Sequence, residues 1–267
     1  MQCKCLLICV TGFLLLGPVK SVAQERVDIQ PVYTLSQTFR DHYRNRPGVP
    51  ICKNAISLTE VKVAYGRWDV GFAGFKGLGQ KDFSKERPCN EIDFYAGWRE
   101  KWASHLETYL RLSYFMNDFP TAGMGRSGDD QIMLDAEVYF PDLLFHVTPY
   151  LLYRYFGAIG PQSPHSGSFG WVGAKKQFPY QLFEHDAVLT IDTQLAFSDG
   201  ALGKTGKDSG FVYGRLILSW RFKLSEHIFL TPHAMWQIAD GAQRGGKDDY
   251  VEKRSVWMYG GTIEYRF

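Results

Sequence analysis

The chain has 267 residues, 30 Lys plus Arg against 28 Asp plus Glu, and 15% aromatic residues. Charges this close to balance leave no basic footprint for nucleic acid. Every apolar run beyond the first thirty residues is broken by a charge, Gly or Pro, which excludes membrane-spanning helices.

In chain order, the first feature is a short, weakly basic head carrying Lys4. The apolar run Leu6–Leu16 follows, then Pro18, then Ser21-Val22-Ala23 with small residues where a signal peptidase cuts. This pattern is a secretory signal peptide over 1–23, with Gln24 opening a single mature domain, 24–267. The run is too short to cross roughly 30 Å of hydrocarbon as an anchor. A lipid-attachment signal at Cys9 fits worse, because Ile8 is bulky and the head is short. Cys3, Cys5 and Cys9 leave with the signal. Cys52 and Cys89 remain, an even pair in an oxidising compartment, which predicts one disulfide.

The body alternates with period two, the signature of strands with two unlike faces. In Glu91–Arg99 one face reads Ile92, Phe94, Ala96, Trp98, and the other carries Glu91, Asp93 and Arg99. Leu106–Tyr114 sets Leu106, Leu110 and Leu112 against Glu107 and Arg111. Ile132–Phe140 sets Ile132, Leu134 and Val138 against Asp135 and Glu137. Leu189–Phe197 repeats the pattern around Asp192, and Val212–Phe222 around Arg215 and Arg221. Twelve such strands are predicted: 33–44, 56–65, 68–77, 90–100, 105–116, 131–140, 144–156, 168–178, 185–198, 210–223, 227–238 and 255–267. The first is the least regular, because Asp41 interrupts its apolar face, so ten strands remain an alternative. Short connections alternate with long ones rich in Gly, Pro and charge, as periplasmic turns alternate with extracellular loops. Cys52 and Cys89 fall in the first two long loops, on one side.

Alternation alone fits a soluble sandwich as well as a membrane barrel. The signal peptide, the strand lengths and the last strand select the barrel. Counting back from Phe267, the residues Tyr265, Ile263, Gly261, Tyr259 and Trp257 share one face. A closing strand of this kind, ending in Phe, is similar to the assembly signal of outer-membrane barrels, with Tyr265 and Phe267 as its recognised residues. Register then follows from energetics: an Arg turned toward lipid near the midplane costs roughly 2–4 kcal/mol, so the charged faces line the lumen. The expectation is an all-β, transmembrane antiparallel up-and-down barrel in the bacterial outer membrane. Its partners are the lipid bilayer, lipopolysaccharide and the barrel assembly machinery.

No chemistry-bearing motif survives inspection. Gly203-Lys204-Thr205 lacks the earlier Gly of a phosphate loop, since Ser198 stands there. The histidines have no metal-ligand spacing, and His146 and His233 read as lumen lining. An outer-membrane lipid hydrolase would need a His-x-Ser pair, and Pro164-His165-Ser166-Gly167-Ser168 does not supply it. No catalytic residue, cofactor or metal is expected, and the chain is not read as an enzyme.

The stretch Asn90–Trp98, the hairpin Tyr65–Phe75 and the closing strand to Phe267 resemble the TorF-type porin family. That resemblance implies a barrel with a passive pore and no catalytic residues. Nucleoside-specific channels are of similar size, but no motif selects them. The expected lining comprises Glu91, Asp93, Arg99, Glu107, Arg111 and Asp135, together with Glu137, Arg154, Asp192, Arg215 and Arg221. Acids and bases nearly balance. They suit a small water-filled pore for ions or polar solutes; the alternative is a packed, occluded barrel with a structural or adhesive role.

Overall fold

In the computed structural model, the described residues are 30–41, 43–44, 50–52, 55–78, 90–117, 131–143, 145–159, 166–182, 184–202, 208–239 and 255–267. The predicted signal peptide, Cys89 and most of the long connections lie outside them, as do Gly203-Lys204-Thr205 and His165. For Cys52 only the backbone is described.

Among the described residues there are fourteen strands: β1 (Val32–Arg40), β2 (Tyr43–Arg44), β3 (Pro50–Cys52), β4 (Ile56–Tyr65), β5 (Trp68–Gly77), β6 (Asn90–Ala103) and β7 (Leu106–Asn117), then β8 (Gln131–Tyr139), β9 (Val147–Ala158), β10 (Gly167–Leu182), β11 (His185–Leu202), β12 (Asp208–Lys223), β13 (Ile228–Ala239) and β14 (Ser255–Arg266). Twelve of them form one closed antiparallel barrel, a meander from β4 to β14 that β1 closes by pairing with both β14 and β4. Closure satisfies each strand on both edges, the condition under which sheet backbone can sit in hydrocarbon. β2 and β3 pair only with each other.

The two faces are set by exposure. In β8, Leu134 is 46% exposed while its neighbour Asp135 is 0% exposed. In β7, Leu110 and Leu112 are exposed, and Tyr109 and Ser113 are buried. Apolar groups therefore cover the outside and polar groups the inside, the inverse of a soluble globule. Hydrogen bonds that span two strands fix the inside independently, since side chains converge only on the concave face. Tyr95 on β6 reaches Glu60 on β4, and Arg221 on β12 reaches Glu264 on β14.

Several boundaries differ from the sequence expectation. Strand 33–44 stops at Arg40, where Asp41 takes over: its backbone N–H donates to Tyr259 O (3.0 Å), and its carboxylate accepts from Tyr259 N–H (2.8 Å). The side chain thus occupies the ladder position of a carbonyl, and residues 43–44 leave the barrel. Strand 144–156 begins only at Val147, because Asp142, Phe145 and His146 have φ of 52°, 53° and 57°, outside the strand region. His146 consequently sits exposed in a turn and does not line the lumen. Strand 168–178 runs on through Pro179 to Leu182. Beyond Lys176, β10 pairs with β11 alone, so the N–H that Pro179 lacks is not needed by a second neighbour. Most of the expected connection from 179 to 184 is therefore strand, β10 ending at Leu182 and β11 starting at His185. β6 and β11 are also longer than expected, ending at Ala103 and Leu202. Among the short turns, Gly66 takes φ of 59°, which the tight link from Tyr65 to Trp68 requires.

Candidate functional site: the inner wall of the barrel

By register, Glu91, Asp93, Arg99, Glu107, Arg111, Asp135, Glu137, Arg154, Asp192, Arg215 and Arg221 fall on the strand faces that turn inward. Asp135 and Arg154 face each other across β8 and β9 and form a bidentate pair, Nε to Oδ1 and Nη2 to Oδ2, both 2.5 Å. Both side chains are buried. Arg99 pairs with Glu107 at 3.1 Å, on β6 and β7. Arg221 donates to Glu264 at 2.8 Å, and Arg266 Nε lies 2.7 Å from the same oxygen.

Several other charges are held by neutral partners. Arg215 donates from Nε and Nη2 to Gln237 Oε1, at 3.2 and 2.7 Å. Arg111 stacks 3.9 Å from the Tyr95 ring centroid and donates to Ser113 Oγ at 3.0 Å. Asp192 accepts from Tyr150 at 2.7 Å and from Gln194 at 3.3 Å. The Tyr139 hydroxyl donates to Glu137. Asp93 is buried, with Glu91 exposed to an intermediate degree two residues away on the same face.

One arrangement recurs three times. A tyrosine crosses an inward glycine of the neighbouring strand and donates to a carboxylate on the strand beyond. Tyr95 crosses Gly71 to Glu60 (2.5 Å), Tyr109 crosses Gly97 to Asp69 (3.0 Å), and Tyr150 crosses Gly173 to Asp192 (2.7 Å). A Cβ at any of these glycines would fall on the tyrosine ring. His233 lies over Gly260 in the same manner. Alternation identifies the face of each tyrosine and glycine; pairing them takes the register.

A second feature departs from a uniformly polar lumen. Phe169, Trp171, Ala196, Val212 and Tyr213 form a buried cluster on the inner side of β10, β11 and β12, with Leu152 and Phe156 packed against it. Trp171 Nε1 donates to the Tyr213 hydroxyl at 2.5 Å. The wall is thickened on this side, next to the Asp135–Arg154 pair. Arg154 itself lies 5.6 Å from the Phe156 centroid.

No protein-family model matches the sequence. No curated protein matches it either. Solved structures do match in fold. A KdgM porin superposes with a TM-score of 0.50 at 9% identity, over 88% of this chain and 99% of that one. The same values apart from identity, 10%, hold for a KdgM porin in complex with disordered oligogalacturonate. The translocator domain of the autotransporter NalP from Neisseria meningitidis gives 0.50 at 12% identity, over 97% and 95%. The chain thus has the fold of outer-membrane β-barrels: all-β, closed, antiparallel and twelve-stranded.

Proposed function

We propose that this protein is a small porin-like barrel of the bacterial outer membrane, passing small ions or polar solutes by passive diffusion. The observation that carries the reading is the inverted wall: charged side chains turned inward and apolar ones outward on strand after strand of a closed barrel. The interior of twelve strands is narrow beside that of a sixteen-stranded porin, which suits small solutes. The charges are also segregated. Acids outnumber bases on the inner faces of β4 to β8 (Glu60, Asp69, Glu91, Asp93, Glu107, Asp135, Glu137 against Lys62, Arg99, Arg111), and bases outnumber acids on β9 to β14 with β1 (Arg154, Lys175, Arg215, Arg221, Arg266, Arg40 against Asp186, Asp192, Glu264). A lumen balanced in this way fits small ions better than a polyanion such as the oligogalacturonate bound by a KdgM porin.

Delivery follows the same reading. The signal peptide 1–23 is removed in export, the assembly machinery engages the strand ending Tyr265 and Phe267, and the short-turn end faces the periplasm. Cys52 and Cys89 join the first two loops in contact with the lipopolysaccharide leaflet. The TorF-type likeness, which rests on Asn90–Trp98, Tyr65–Phe75 and the closing strand, agrees with a non-enzymatic pore. A second reading, an occluded barrel with a structural or adhesive role, is favoured by the buried Asp135–Arg154 pair and the Phe169–Trp171–Tyr213 cluster.

Osmotic swelling of proteoliposomes tests the proposal. Vesicles carrying the purified barrel are expected to swell in small amino acids and monosaccharides, at rates that fall steeply for oligosaccharides. Swelling no faster than protein-free vesicles in every solute would contradict it.

A further inference from the structure

At the short-turn end of the barrel, Arg221, Arg266 and Glu264 gather around Phe229. Both guanidiniums lie over its ring, 4.2 Å from the centroid for Arg221 and 4.9 Å for Arg266. Both approach one oxygen of Glu264, at 2.8 and 2.7 Å. The group carries two positive charges and one negative. It is open to solvent, with side-chain exposures of 38% for Arg221, 42% for Arg266 and 23% for Glu264.

The register adds two more cations to this mouth. Thr34 pairs with Arg266 on one side and Lys62 on the other, and Phe229 pairs with Lys223 as well as with Glu264. Acids at this end include Glu264, which pairs with Phe229, and Glu60, which pairs with Ser36 one row deeper; Asp69, Asp186 and Glu226 lie on neighbouring strands and turns. Glu60 is already engaged by the Tyr95 hydroxyl.

We propose that Arg221 and Arg266 form a binding site for a small carboxylate at this mouth, with Glu264 as the internal group that the solute displaces. A guanidinium offers five N–H donors in a fixed plane, so one carboxylate oxygen shared between two leaves most donors available. Stacking on Phe229 holds the forks in place before a ligand arrives, which reduces the ordering cost of binding. Arg221 donates to the Glu264 oxygen, while Arg266 Nε stands 2.7 Å from it without completing a hydrogen bond, which leaves that donor for an incoming carboxylate. The remaining positive charge, with Lys62 and Lys223, draws an anion in.

The site is testable without conduction, using 19F NMR of trifluoroacetate with the full barrel in dodecyl maltoside micelles. Wild-type protein is expected to broaden the resonance saturably, and Arg221→Gln/Arg266→Gln to abolish the broadening. Glu264→Gln, which removes the internal competitor, is expected to half-saturate at a lower trifluoroacetate concentration. The single Arg266→Gln keeps the Arg221–Glu264 bond. It is expected to retain the heat-modifiable gel mobility of a folded barrel while losing most of the broadening. Broadening by wild type no greater than by a folded Arg266→Gln, or its loss in a folded Glu264→Gln, would overturn the proposal and leave a closed structural triad. Displacement of trifluoroacetate by added phosphatidylglycerol would also overturn it, by assigning the arginines to a lipid headgroup. A barrel that binds but passes no current keeps this site and removes only the channel reading.

Discussion

Each tyrosine stitch on the inner wall depends on a residue with no side chain. Tyr150 reaches Asp192 because Gly173, between them, leaves room for the ring. Gly173→Val is expected to push that ring aside and destabilise the barrel by about 1–3 kcal/mol, the usual range for overpacking. Gly170→Ala is the control: a Cβ there meets nothing within 4 Å. Urea titration of both variants beside wild type makes the comparison, and equal midpoints for Gly173→Val and wild type would refute the packing role. The Asp135–Arg154 pair gives a second case. Asp135→Leu leaves a buried guanidinium without its carboxylate, with an expected loss of about 3–5 kcal/mol. Double replacement by apolar residues is expected to recover much of that. At this scale the sequence reveals the inward charges, because period two assigns a face to each residue. It conceals the stitches and the Trp171–Tyr213 cluster, because these join residues two strands apart and need a register that alternation does not contain.

Among elements, strands are legible wherever two unlike faces alternate, as in β7 and β8, whose expected and observed spans differ by a residue or so. Legibility fails where a side chain or a backbone angle ends the ladder. Asp41 terminates β1 by imitating a backbone acceptor, and the positive φ values at Asp142, Phe145 and His146 delay β9. Pro179 looks like a strand breaker yet lies on a stretch of β10 with one neighbour only. The closing element also carries the seam: Tyr33 and Phe267 exchange backbone hydrogen bonds at 3.0 and 3.1 Å, and their rings stack. Removing Phe267 takes both away, along with the proposed assembly signal. Pulse-labelled cells are expected to accumulate the deletion variant unfolded and protease-sensitive, and wild-type assembly kinetics would refute that role. For the first two loops, non-reducing peptide mapping is expected to recover Cys52 linked to Cys89, and two free thiols would exclude the bond.

At the scale of the whole molecule, the closed meander follows from twelve strands whose apolar faces share one sense. A register flip in a single strand would put a charge such as Arg215 against lipid, so the strands specify one another's orientation. A closed wall of this kind either conducts or is packed shut. Planar-bilayer recording of the purified barrel, wild type beside Arg215→Glu, separates the two most directly. Steady channel currents are expected from wild type and a reversal potential displaced toward cations in the variant, because a charge in a narrow, partly desolvated lumen acts more strongly than one at the surface. Leu216→Gln, on the outer face, is expected to leave selectivity unchanged. A wild-type barrel that is folded and inserted but electrically silent would contradict the channel and leave the occluded barrel.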